Sequence, residues 1–143
     1  MNGCSPASPR SIGRATPWAI TSHAAFTVDV DGERVAFSGW SVATANSKAF
    51  GGGMLLAPDA SLEDGALDVV LISRSSKLRY ALGLRKVFKG THLAEPSVRV
   101  LRGAEVHVAA DRPFVVYADG DPVGELPMTI RVLPAALRVL IPA

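Results

Sequence analysis

The chain has a single cysteine, Cys4, which excludes an intrachain disulfide and any cysteine-cluster zinc site and fits a reducing compartment. No apolar run approaches the ~18 residues of a membrane span. Met1 to Thr16 carries Arg10 and Arg14 but no apolar core of the kind a signal peptide needs. Aromatic residues make up only 6% and never alternate with basic ones, and no Lys/Arg run stands out around a net charge of +2. A nucleic-acid partner is excluded on those grounds. The three histidines, His23, His92 and His107, share no ligand spacing. With no Gly-x-Ser-x-Gly elbow and no Cys/His pair, nucleophilic catalysis has no support.

What is present reads as one ordinary globular domain: 143 residues, 48% hydrophobic and 20% charged. Met1 to Ser22 is rich in Ser, Pro and Gly without periodicity and is expected to be a disordered leader or the scar of a truncated frame (residues 1–22). The folded domain is placed at residues 23–143. Phe26, Val28 and Val30 alternate with polar residues, Asp31-Gly32 follows, and Val35 and Phe37 resume the alternation, a hairpin signature. The second strand should run through Trp40 and Val42 toward Asn46, with a short strand at Met54 to Leu56. Leu67 to Ile72 is a largely aliphatic strand. Ser73 to Ser76 can cap a helix at about 77–89, whose Leu78, Ala81, Leu82, Arg85 and Phe88 recur at helical spacing before Gly90. Its lysines and arginines should form a solvated face. Short strands are expected at 98–101, 105–109, 114–118, 128–133 and 136–141, with a loop over 119–127. His107 should point outward. The predicted class is mainly β: an antiparallel β-sandwich with one α-helix.

Three acidic turns could carry chemistry: Asp29/Asp31, Glu63/Asp64 and Asp119/Asp121. An Asp-Gly pair needs no further reason than the turn itself, because Asp tolerates left-handed backbone and bonds its own chain. For Asp64, beside a glycine-rich stretch, a hard-oxygen Mg²⁺ site is an equal reading. Gly51, Gly52 and Gly53 could form a nest of N–H groups for an anion or a bulge at a tight chain crossing. They are no P-loop, since no Lys-Ser/Thr follows and a strand is expected after them.

Three segments in order resemble the C-terminal domain of the bacterial diacylglycerol kinase family, lipid kinases related to sphingosine and ceramide kinases. They are Asn46 through Gly65 with its Gly-Gly-Gly-Met, Ala-Pro and Asp-Gly; Lys89-Gly90-Thr91-His92 after the helix; and Tyr117-Ala118-Asp119-Gly120-Asp121 followed by Leu126-Pro127-Met128. The resemblance covers about Ala24 to the C-terminus. It implies a β-sandwich packed on an α/β nucleotide-binding domain, with ATP as co-substrate in the cleft and Gly51, Gly52 and Gly53 facing it. It implies a structural Mg²⁺ on Asp64, completed by backbone carbonyls near Ser61 and Ala66. It implies a general base on the lipid hydroxyl at Asp121, where the family carries glutamate; Glu125 is a weaker candidate. The family's nucleotide-binding signature, Gly-Gly-Asp-Gly-Thr, is absent from this chain. The expectation is therefore a fragment of a kinase acting on diacylglycerol or a similar lipid, inactive without the nucleotide-binding domain of the same enzyme. It would be cytoplasmic, with peripheral contact to the inner membrane face, and a homo-oligomer could form through its exposed docking face. Two alternatives stand beside it: a non-catalytic β-sandwich binding or regulatory module, and a degenerate product without a role.

Overall fold

A computed structural model of the chain describes residues 23–137. Residues 1–22, expected as a leader, and the end of the last expected strand lie outside that range. Strands β1 (Ala24–Val30) and β2 (Glu33–Ala45) form the expected hairpin. Its turn has Asp31 at φ 49° and Gly32 at φ 93°, the left-handed pair that matches strand twist, and the Gly32 N–H donates to Asp29 Oδ1 at 2.9 Å. β3 (Leu67–Ser73), β4 (Val98–Gly103), β5 (Glu105–Ala110) and β8 (Met128–Arg131) complete a six-stranded antiparallel sheet in the order β4-β3-β2-β1-β5-β8. β6 (Val115–Ala118) and β7 (Asp121–Glu125) make a separate two-stranded hairpin.

The strand order forces the sheet to curl. Only Ala104 separates β4 from β5, yet β3, β2 and β1 lie between them in the hydrogen-bonded order. One residue spans a few ångströms, so the β4 edge must roll round until its end meets β5. Asp31 pins that corner. Its Oδ2 accepts the Ala104 N–H at 2.9 Å, its Oδ1 accepts the Glu105 N–H at 2.8 Å, and its own N–H donates to the Glu105 carbonyl at 3.0 Å. Gly103 is needed there because a Cβ would sit 2.5 Å from both Asp31 Oδ2 and Val30 Cγ1.

The curl makes a concave face whose core is Val28, Val30, Val69, Leu71, Val106 and Val108. The other face of β3 is covered too: Val70 is buried with Ala57 and Ala60, and Ile72, Leu93 and Val98 pack on them. That two-sided burial is why β3 reads as a continuous aliphatic run rather than an alternating one. The β6–β7 hairpin adds the second layer through Phe114, whose ring lies 5.4 Å from Phe26.

The helix, α1 (Lys77–Val87), starts where Ser76 Oγ accepts the Arg79 N–H at 3.3 Å, and Gly90 follows at φ 67°. Its position agrees with the sequence; its orientation does not follow from the apolar spacing. Tyr80, Gly83 and Val87 face the protein, and Leu78, Ala81, Leu82, Arg85 and Phe88 face out. Two further expectations fail. Met54 to Leu56 is no strand, because Gly52 and Gly53 have φ of 74° and 81°. The chain makes a 3₁₀ turn over Gly51–Gly53, closed by the Phe50 N–H on the Met54 carbonyl at 2.8 Å. And 119–127 is not a loop throughout, since β7 pairs with β6 despite Pro122 and Gly124. β7 is an edge, where proline's missing donor costs no ladder bond.

Candidate functional site

A cavity of about 320 Å³ opens between the concave sheet face and the β6–β7 hairpin. Its volume lies at the lower end of the range for small-molecule sites, ~300–1,000 Å³, and its wall is mainly apolar. Of the nine aromatic residues of the chain (Phe 5, Trp 2, Tyr 2), Phe26, Trp40, Phe50, Phe114 and Tyr117 line this one space. That concentration is the sequence signal that motif reading missed. The buried indole N–H of Trp40 has no partner among the described residues, an uncommon state for a buried donor.

The structure brings two of the sequence-predicted segments to this cavity. Phe50, next to the exposed Gly51, Gly52 and Gly53, lines it from one side. Tyr117 lines it from the hairpin that carries Asp121. Asp119 (φ 50°) and Gly120 (φ 97°) form the hairpin turn, and Asp121 opens β7 opposite Ala118 with its carboxylate exposed.

The acidic turn 61–66 lies elsewhere and contributes no lining residue. Ser61 Oγ accepts the Glu63 N–H at 3.2 Å, and Asp64 Oδ1 accepts the Ala66 N–H at 3.0 Å. The second Asp64 oxygen takes the Arg102 guanidinium. Asp68, on β3 opposite Arg102, is nearly buried; that burial pushes its carboxyl up, Arg102 pulls it down, and Asp64 and Asp59 push it up further. Among the described residues no three His, Cys, Asp or Glu side chains converge. A cation at this turn would therefore rest on Asp64, backbone carbonyls and water, a donor set that suits Mg²⁺ in kind. Arg102 is its competitor, because it already neutralises the one carboxylate such a site would use.

His92, from the Gly90-Thr91-His92 segment, is a buried locking residue rather than a ligand. It is 2% exposed and its Nε2 donates to the Leu56 carbonyl at 2.9 Å, tying the 54–60 segment to the 3₁₀ turn Thr91–Ala94. Burial holds its pKa below the ordinary 6.5, opposed by that hydrogen bond. His107 is exposed as expected, with Nδ1 3.0 Å from Thr129 Oγ1.

Residues 16–141 match the family described as the YegS C-terminal NAD kinase beta sandwich-like domain. A diacylglycerol kinase of Mycobacterium tuberculosis (strain CDC 1551 / Oshkosh) is 39% identical over 98 residues, covering 68% of this chain and 31% of that protein. A protein of Stenotrophomonas maltophilia (strain K279a) named "Probable lipid kinase YegS-like" is 33% identical over 100 residues, 68% of this chain and 32% of its own length. The chain thus spans about a third of the length of the curated relatives it matches. The crystal structure of a diacylglycerol kinase from Bacillus anthracis str. Sterne superposes with a TM-score of 0.64 at 20% identity, over 79% of this chain and 39% of that one. At that identity the likeness shows the fold.

Proposed function

This chain belongs to the YegS C-terminal NAD kinase beta sandwich-like domain family, and from that premise we propose that it is the lipid-receiving half of an ATP-dependent kinase acting on diacylglycerol or a similar lipid alcohol. The observation that carries the reading is the aromatic-lined cavity beside the Asp121 hairpin. An acyl chain buried there gains about 0.8 kcal/mol per methylene, which fixes the lipid without any polar contact to its tail. The head-group hydroxyl then lies toward the hairpin, where the Asp121 carboxylate accepts its proton as the oxygen attacks the γ-phosphorus. The bond from the γ-phosphorus to the bridging oxygen breaks, and ADP leaves with that oxygen's charge.

ATP is held mainly by a nucleotide-binding domain of the same enzyme, with Gly51, Gly52 and Gly53 facing the shared cleft. Asp64, with the carbonyls of Ser61 and Ala66, would hold a structural Mg²⁺; its chemistry there is charge neutralisation and loop ordering. Alone, the chain binds lipid and does not transfer phosphate.

The test is γ-phosphate transfer from labelled ATP to diacylglycerol, with the chain alone and with a relative's nucleotide-binding domain supplied. Transfer only in the complemented mixture is the expected result. Inactivity of a complemented pair that is folded and associated would overturn the kinase reading and favour a non-catalytic lipid-binding module, for which the same cavity would serve.

A further inference from the structure

The apolar stripe that makes α1 legible in the sequence is on the wrong side for the core. Leu78 is 72% exposed, Leu82 53% and Phe88 55%. Only Val87 is buried, with Tyr80 and Gly83 beside it. Over residues 74–89 the chain carries Arg74, Lys77, Arg79, Arg85, Lys86 and Lys89 and no Asp or Glu. Glu95 meets Lys86 from outside the segment; its carboxyl is held below the usual range chiefly by that lysine, with a smaller pull from Arg79. At 100° per residue, Leu78, Leu82 and Arg85 fall on one line opposite Val87, and the exposed Phe88 and Lys89 follow in the turn that ends the helix. The exposed face therefore alternates insertable side chains with cations.

We propose that this face of α1 docks on an anionic lipid bilayer surface. Charge complementarity selects that occupant. Lys is depleted from the cores of protein interfaces, whereas long basic side chains interleaved with Leu and Phe suit the headgroup boundary. There the apolar groups enter the acyl region while the cations reach out to lipid phosphates. The opposite, inner side of α1 adjoins the cavity wall. Tyr80, on the inner side of α1, packs on Trp40 with ring centroids 5.2 Å apart, and Trp40 lines the cavity. A helix lying on the bilayer thus sets the cavity behind it, one helix diameter (~10 Å) from the membrane. The proposal rests on α1 itself and does not require phosphoryl transfer.

The experiment is co-sedimentation of the chain with phosphatidylcholine vesicles, with and without a third of phosphatidylglycerol, at low and high salt. Binding should need the anionic lipid and weaken with salt. Each cation near the surface contributes about fivefold in partitioning, so Arg85→Glu/Lys89→Glu should lower it by more than tenfold. Leu82→Asp/Phe88→Asp should lower it comparably, with the far-ultraviolet spectrum and melting temperature unchanged because both sites are exposed. Equal partitioning to neutral and anionic vesicles, or unchanged binding by both variants, would overturn the proposal. So would self-association that Leu82→Asp abolishes in place of vesicle binding, which assigns the face to a second copy. Vesicle binding that vanishes when a nucleotide-binding domain is supplied would assign it to that domain instead.

Discussion

Two Asp-Gly turns in this protein have nearly the same backbone and different surroundings. Asp31-Gly32 and Asp119-Gly120 both turn a hairpin with left-handed pairs, φ 49° and 93° in one and 50° and 97° in the other. The Asp31 carboxylate is fully engaged, holding the N–H groups of Ala104 and Glu105 where the curled sheet closes. At the other turn, Asp121 opens the exposed strand β7, whose partner β6 lines the aromatic cavity. A carboxylate spent on the fold cannot also take a proton from a substrate, whereas the exposed Asp121, proposed above as the base, is not so engaged among the described residues. Asp64 stands between the two, sharing itself between its own turn and Arg102.

The contrast breaks most sharply in phosphate transfer by the complemented enzyme. Asp121→Asn should lower kcat by about 10²–10⁴, the usual worth of a general base, and leave the melting temperature alone. Asp31→Asn should do the reverse, lowering stability while the folded fraction keeps its rate. Equal rate losses in both would erase the distinction. The intermediate turn is sharpened by Mg²⁺. If Asp64 holds the ion, added Mg²⁺ should raise the melting temperature by mass action on the folded state. Arg102→Ala should strengthen that rise by about tenfold in Mg²⁺ affinity, since a unit charge near the protein surface acts with a few kcal/mol at most. Asp64→Asn should remove it, and a rise that survives in Asp64→Asn would place the ion elsewhere.

pH gives a smaller effect with a fixed sign. The Ala104 and then the Glu105 N–H bonds hold the Asp31 carboxyl below its ordinary 3.8. Its stabilisation is therefore complete above the unfolded value and is lost as pH falls through the lower folded value. Urea midpoints of the wild type and Asp31→Asn should differ at neutral pH and converge in strong acid. The smallest effect is a matched one. No atom of the described residues lies within 4 Å of a Cβ built on Gly32 or Gly120, so alanine at either meets the left-handed backbone penalty, about 1–2 kcal/mol. Chemical denaturation should give the two variants similar losses.

The local features were legible in the sequence because short-range chemistry decides them. Asp31-Gly32 between alternating strands, the aliphatic run of β3 and the Ser76 cap of α1 all formed where their residues imply. β7 was hidden because Pro122 and Gly124 are poor strand residues that only an edge tolerates. The outward turn of α1 was hidden because periodicity locates a stripe without saying which side the sheet will cover. The cavity was hidden for a longer-range reason. Phe26, Trp40, Phe114 and Ile130 line it together, and their meeting depends on the curl that one connecting residue imposes on a six-stranded order. The three Asp-Gly pairs look alike in sequence for the same reason: what distinguishes them is what the fold brings to each carboxylate.

Whether the cavity receives an acyl chain can be asked of this chain alone. Trp40 lines the space and is one of two tryptophans, the other being Trp18, so its fluorescence reports occupancy against a Trp40→Phe control. A diacylglycerol brominated along its acyl chains should quench the Trp40 emission saturably. Thr44→Phe, which fills the lining, should abolish the quenching without unfolding the domain. Trp40 emission unmoved by the brominated lipid, in a chain shown to be folded, would contradict a lipid-receiving role.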